Sequence, residues 1–378
     1  MKNRNLITPS KNTNFNGKDT KNEGINQVGT DISLLELEQN FEQIEKEFET
    51  IEPVYGMFKI QSANKWMEDA NKRPIPKMLF DSFWFEGEIC ILFADTNLGK
   101  SIVGVQIGDS ISRGEYISGF KLEAQQQKVL YFDFELSDKQ FENRYSINYQ
   151  NHYQFHPNFE RAEINTDIEL PEHFTNFEAY LSYSLEEAIK RTGAKVLIID
   201  NMTYLKTETE KAKNALPLMK ELKSLKSKYN LSLLVLAHTP KRDLSKPITR
   251  NDLQGSKMLI NFCDSCFSIG ESTKDKGLRY LKQIKVRNTE HTYDTENVIV
   301  CQIDKPDNFL RFEFLDYGTE REHLKQISES DKKELDNQIV ELKKDNSSLS
   351  NRQIARQLNT NHNRVKRAWE RYLNDTGT

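Results

Sequence analysis

Residues 94–101 read Ala-Asp-Thr-Asn-Leu-Gly-Lys-Ser, and Ile102 follows. This combination points to phosphate binding. In such a loop, successive backbone N–H groups and the start of the next helix face anionic oxygens. Ala94, Asp95, Thr96, Asn97, Leu98 and Gly99 would form the loop. Lys100 would reach the β- and γ-phosphates of ATP, and the Ser101 hydroxyl would ligate Mg²⁺. Ala94 stands where the formula has its first Gly, which is tolerable if its φ is negative. The apolar run 89–93 precedes the loop and a helical pattern follows, as the formula requires.

Three further groups lie at the ends of apolar runs. The segment 195–200, Lys-Val-Leu-Ile-Ile-Asp, ends in Asp200, a carboxylate suited to hold the Mg²⁺ shell. The segment 129–135 ends in Glu135, which can polarise an attacking water. Asp133 competes for that role, but strand tips carry the catalytic groups in such sheets, which favours Glu135. The segment 233–238 ends in His238, either a hydrogen-bonding sensor of the γ-phosphate or an exposed loop imidazole.

These groups need a sheet to gather them. Near-continuous apolar runs at 89–94, 129–134, 196–200 and 231–237 suit strands buried on both faces of a parallel sheet. Further runs follow at 263–269, 280–286 and 298–303, and helical patterns cover 102–113, 185–192 and 216–229. Strands alternating with helices imply an α/β fold with a mainly parallel sheet flanked by helices.

The order phosphate loop, Glu, Asp, His and then Lys-x-Arg resembles the RecA-like P-loop ATPases. Within them it is most similar to the RepA-like hexameric helicase group of plasmids and mobile elements. The resemblance covers about 60 to 318. It implies a homo-oligomeric ring with ATP between subunits, Lys100 in the Walker A loop, Glu135 as catalytic base, Asp200 as the Walker B acid and His238 as sensor. It also implies that Arg287, or secondarily Lys285, serves the neighbour's γ-phosphate. The expected function is a helicase or translocase acting on single-stranded DNA in replication or mobilisation. The alternative is an ATP-dependent adaptor or loader that recruits another machine.

Two regions bear on DNA. The loop after His238 carries Lys241, Arg242, Lys246 and Arg250. It is either a solvated loop or a contact to backbone phosphates. Residues 347–378 resemble a helix-turn-helix, with Ser350 as cap and Arg364, Lys366, Arg367 and Arg371 as phosphate contacts on the second helix.

The rest sets bounds. The chain has 378 residues and a formal net charge of −4, so it is not globally basic. Residues 1–30 read as a disordered arm and 31–58 as an N-terminal helix with Leu34, Leu35, Leu37, Phe41, Ile44, Phe48 and Ile51 at helical spacing. The ATPase domain is expected at 59–318, a charged, helical or loosely ordered linker at 319–346 and the helical unit at 347–378. No apolar run approaches the roughly 20 residues of a membrane span, and no secretory signal is evident. Four cysteines, Cys90, Cys263, Cys266 and Cys301, fit a reduced, cytoplasmic protein. Cys263 and Cys266 lack the second pair of a zinc site. His152 and His156 have metal-binding spacing but no acidic or Cys motif beside them, which favours a structural role.

Overall fold

The computed structural model describes residues 54–376 except 56–57, 166–167, 202–214, 241, 254–255, 327–328 and 359. The arm 1–30, most of the expected helix 31–58, Lys241 and the loop 203–214 therefore lie outside the described residues. The chain divides into two units, Met1–Pro74 and Ile75–Thr378. In the first, β1 (Val54–Tyr55) and β2 (Phe58–Lys59) pair antiparallel, and α1 (Ala63–Asn71) follows, capped by Ser62. At 54–55 and 58 the chain is therefore strand where a helix is expected.

The second unit opens with the small pair β3 (Met78–Phe80) and β4 (Trp84–Phe85). Then come β5 (Ile89–Ala94), α2 (Lys100–Arg113), β6 (Val129–Asp133), α3 (Asp138–Arg144), β7 (Ser146–Ile147), β8 (Asn151–His152), β9 (Phe159–Ala162) and α4 (Phe177–Thr192). Next are β10 (Val196–Asp200), α5 (Ala215–Tyr229), β11 (Ser232–His238), α6 (Ser256–Phe262), β12 (Ser265–Glu271), β13 (Leu278–Lys285), β14 (Val298–Asp304) and β15 (Arg311–Gly318). Four helices close the chain: α7 (Glu320–His323), α8 (Glu329–Asp345), α9 (Asn351–Gln357) and α10 (His362–Thr376).

Among the described residues, nine strands form one sheet in the order β15-β14-β13-β12-β5-β11-β10-β6-β9. Pairing is parallel from β12 through β9 and antiparallel from β12 through β15. The fold is therefore mixed α/β, with a large, mostly parallel sheet flanked by helices. Strand alternation divides the core. Cys90 and Leu92 face the layer containing α2, while Ile89, Ile91 and Phe93 face the layer of α4, α5 and α6. On α5, Met219, Leu222 and Leu225 recur at helical spacing and are buried, each contributing roughly 1.5–3 kcal/mol.

The stretch 142–180 has a packing role. Tyr145, Tyr153, Phe155 and Phe309 form an aromatic cluster, and Phe155 stacks on Phe159. Phe159 in turn presses so closely on α2 that a Cβ at Gly108 would lie 2.5 Å from its ring. His152 pairs with Glu142 at 2.8 Å, and His156 contacts Gln126 at 3.1 Å, so the two imidazoles serve different partners.

The stretch expected as a helical or loosely ordered linker holds the helix α8 at 329–345. Leu335, Ile339 and Leu342 of α8 pack with Ile354, Ala355, Val365 and Ala368 of α9 and α10 in a separate small core. A charged composition hid this apolar stripe. Ser350 caps α9 with Gln353 in a reciprocal box, as its sequence predicts.

Candidate nucleotide site

The loop 95–99 joins β5 to α2. Ala94 is the last residue of β5, paired with His238, and is absent from the residues with positive φ. Its Cβ therefore costs nothing, and the departure from the formula's first Gly is harmless. The left-handed positions are Asn97 at φ 64° and Gly99 at φ 97°. Gly99 is also hemmed in, since a Cβ there would lie 2.7 Å from Phe312. Gly99→Ala is expected to destabilise the protein by about 1–3 kcal/mol and to weaken nucleotide binding. Denaturant melts and nucleotide titration of the variant check this, and an unchanged midpoint would refute it.

Lys100 is buried, and its Nζ donates to Ala94 O at 3.1 Å and Asp95 O at 3.0 Å. Burial lowers its pKa, opposed by the charges of Asp200, Glu135 and Asp95. The ammonium is thus held at the loop by three carboxylates within electrostatic range.

The parallel register brings the other groups to the same sheet edge. Asp200 pairs with Asp133 across β10 and β6, and β11 places His238 beside Ala94. Asp200 is fully buried, and Tyr131 Oη donates to its Oδ2 at 2.6 Å. Its Oδ1 has no hydrogen-bond partner. Burial pushes its pKa up to about 6, partly offset by the nearby Ser101 and Tyr131 hydroxyls, with Glu135 and Asp133 adding repulsion.

An orphaned buried carboxylate oxygen beside Ser101 fits a divalent cation. Among the described residues no group of three or more His, Cys, Asp or Glu could hold a metal. A Mg²⁺ shared with phosphates and water needs only one or two protein ligands, so Ser101 and Asp200 suffice.

The raised pKa carries a stability prediction for the nucleotide-free protein. The folded state binds the proton more tightly than the unfolded one, whose carboxyl titrates near 3.8. Stability contributed by this group therefore rises as pH falls from about 6 towards 4 and is lost above that window. Asp200→Asn removes the buried charge and is expected to stabilise the nucleotide-free protein at pH 7 by up to about 3 kcal/mol. The same change should abolish Mg²⁺-dependent turnover. A lower melting temperature for the variant would contradict the first part.

Glu135 is the most accessible carboxylate of the group. Its Oε1 lies 3.1 Å from His238 Nε2, and Asn201 Nδ2 donates to it and contacts His238 Nε2 at 2.9 Å. The His238 contact is the main cause of its lowered pKa, with Lys100 and Arg144 adding to it against desolvation. These contacts favour its ionised form, from which it could accept a proton. Asp133 is committed elsewhere: its Oδ1 accepts from the amides of Glu135 and Leu136, and its Oδ2 from Arg161 Nε at 2.9 Å. Asp133 shapes the turn that presents Glu135, and the Ser137–Gln140 capping box of α3 completes it.

Two members of this site escaped the sequence reading. Asn201 joins Glu135 to His238. Arg144, last residue of α3, has a buried Nη1 without a partner and bears electrostatically on Glu135. An unpaired buried guanidinium nitrogen is costly unless an anion meets it. Nothing in the spacing of Arg144 signals this; α3 brings it back to the sheet edge.

The Lys-x-Arg pair is elsewhere. Cys266 pairs with Lys285, and Ser265 with Cys90, so β13 ends beside the start of β5. Arg287 therefore sits at the opposite end of the strands from the loop, roughly 15–20 Å along the sheet. It is half-exposed, with Nη1 3.1 Å from Asp264 Oδ1. Lys285 is engaged with the end of α6, donating to Cys263 O at 2.7 Å and to Ile260 O. That helix-capping role removes it as a ready second finger. The cysteine pair beside it is free and buried, as are Cys90 and Cys301.

The basic residues expected at DNA are variously engaged. Arg242 donates to Lys246 O, Lys246 pairs with Asp243 at 2.8 Å, and Arg250 is exposed. Arg364 and Arg371 both pair with Asp336 of α8, at 2.9 and 3.0 Å, which counts against them as free phosphate contacts. Lys366 and Arg367 are exposed, the former 3.7 Å from Glu370. Lys343 and Lys344 lie over the Trp369 and Tyr372 rings. No helix among the described residues is long and apolar enough to cross a membrane.

Residues 58–243 match the family model described as an AAA domain. Over those residues, just under half of the chain, the match suggests nucleotide-dependent activity. No curated protein matches the sequence. Among solved structures, the chain is similar to a KaiC-like protein from the hyperthermophilic archaeon Pyrococcus horikoshii OT3, with 14% identity, 61% of this chain and 91% of that chain covered, and a TM-score of 0.40.

Proposed function

We propose that this chain is a Mg²⁺-dependent ATPase of the RepA-like helicase type. In this reading it assembles into a ring and acts on single-stranded DNA during replication or mobilisation of a genetic element. The observation that carries it is a division along the sheet: Lys100, Glu135, Asp200 and His238 converge at one edge, whereas Arg287 lies at the other. An Arg287 that served the γ-phosphate would therefore reach only the site of a second copy.

Bound Mg²⁺ would polarise the phosphoryl oxygens. The chain's own residues do the rest. The loop amides and Lys100 hold the phosphates, and Ser101 and Asp200 hold the cation. Glu135 orients water and takes its proton, and His238 reports the γ-phosphate to the loop that follows it. Arg287 of one copy stabilises charge at the site of the next.

The DNA reading rests on the basic residues of the 242–250 loop and on Lys366 and Arg367, which can neutralise phosphates without reading sequence. Its test is the ATPase rate with and without single-stranded DNA at low salt. Stimulation supports a helicase or translocase; a flat response across polynucleotides refutes it. Slow turnover with strong ATP-dependent DNA binding would instead favour the loader reading.

A further inference from the structure

One buried ion pair lies outside the nucleotide site and touches the loop that leaves it. Lys282 of β13 and Glu320 of α7 are both buried, with Nζ 2.5 Å from Oε2. Between them they hold one residue of the His238 loop by both backbone groups. Ile248 N donates to Glu320 Oε1 at 2.6 Å, and Lys282 Nζ donates to Ile248 O at 2.9 Å. The remaining valences are filled too: Lys282 donates to Thr295 Oγ1 at 3.0 Å, and Tyr280 Oη donates to Glu320 at 3.2 Å.

A buried pair earns little net stability, because desolvation offsets its attraction. What it does confer, when every donor and acceptor is met, is a unique geometry for the groups it binds. Here those groups belong to a loop whose own anchors are few: Ile248 and Leu253 are its buried apolar residues. The same loop has a second tie, Lys325 N to Leu244 O at 2.9 Å. Both ties come from 320–325, the segment that continues towards α8. That segment is itself fastened to the sheet, since Thr273 Oγ1 donates to the carbonyls of His323 and Leu324, and His323 stacks on Tyr280.

We propose that the Lys282–Glu320 pair positions the loop after His238 and couples the nucleotide site to the segment from which the C-terminal helices continue. The coupling rests on the reading of His238 as a phosphate sensor; the positioning does not. Both residues act through the loop and touch neither nucleotide nor metal.

The test uses the full chain and the double variant Lys282→Met/Glu320→Leu, which exchanges the pair for apolar groups and so avoids a lone buried charge. Amide hydrogen exchange across 244–250 is expected to accelerate about tenfold in the variant, with the sheet strands unchanged. The exchange difference that Mg²⁺ and ATP induce in 244–250 of the wild type should be lost. Unstimulated ATPase is expected to stay within about twofold, because the hydrolytic groups are untouched. Wild-type protection of 244–250 in the folded variant would overturn the proposal. If the double variant does not fold, Glu320→Gln decides: exchange should rise in 244–250 alone, and a uniform change or none overturns the idea. The exchange readout needs no DNA, so a wild type that ignores single-stranded DNA would refute the DNA reading without touching this one.

Discussion

Glu135→Gln is expected to lower the ATP hydrolysis rate about 10²- to 10⁴-fold while leaving nucleotide affinity nearly unchanged. The geometry explains the separation. Glu135's hydrogen bonds go to His238 and Asn201 and not to the loop 94–101, where it acts on Lys100 only through its charge, so its loss leaves the hydrogen bonds of the phosphate cradle in place. Gln preserves the side chain's size and a hydrogen-bonding oxygen but cannot accept a proton from water. Single-turnover hydrolysis together with a fluorescent-nucleotide titration measures both quantities. Hydrolysis within about tenfold of wild type would remove Glu135 from the role of base, since a positioned base contributes at least 10²-fold. Asp133 would not replace it, because both its oxygens are already occupied by backbone amides and Arg161.

The second large effect concerns Arg287. Arg287→Ala should reduce hydrolysis about 10³-fold or more, the usual worth of a cation supplied in trans. Its ion pair with Asp264 is half-exposed and is worth roughly 0–1 kcal/mol, so it holds the guanidinium without sequestering it. Stability should therefore change little. The decisive measurement is mixing. In the proposed ring, Arg287→Ala would lack the cation given in trans but keep a complete loop, whereas Lys100→Ala would lack the loop's cation but keep Arg287. Mixed assemblies should recover activity at interfaces that combine the intact loop of one with the intact finger of the other. If two inactive variants show no recovery on mixing under conditions where they co-assemble, the trans role is wrong. An Arg287→Ala protein as active as wild type would be equally damaging.

The two predictions draw on different kinds of information. Glu135 could be singled out as a carboxylate just past the tip of an apolar run, although Asp133, which ends β6 one pleat earlier, is of the same type and forms the turn instead. The four central strands were legible for the same reason: a strand buried on both faces must be apolar throughout. The edge strands were not. In β15, Arg311, Glu313 and Asp316 interrupt the apolar positions, and β9 has only four residues. Their strand character comes from pairing with β14 and β6, which local sequence does not encode. The charged stretch 329–345 was legible as helical or loosely ordered but not as packed, because the apolar stripe of α8 is meaningful only against α9 and α10.

Chemistry near the backbone motif was thus determined by the sequence alone: the phosphate loop, its strand and helix, and the acids at the strand tips. These depend on residue type and on contacts a few positions apart. The tertiary structure decided what each cation does. Lys285 and Arg287 are two residues apart, yet one caps α6 and the other remains half-exposed. Arg364 and Arg371 are drawn to Asp336. Arg144 bears electrostatically on Glu135 from α3, and Asn201, next to Asp200, bridges Glu135 and His238 in a way its position in the sequence does not signal. A charge acts over a few ångströms through whatever faces it, and what faces it is set by the packing of distant segments.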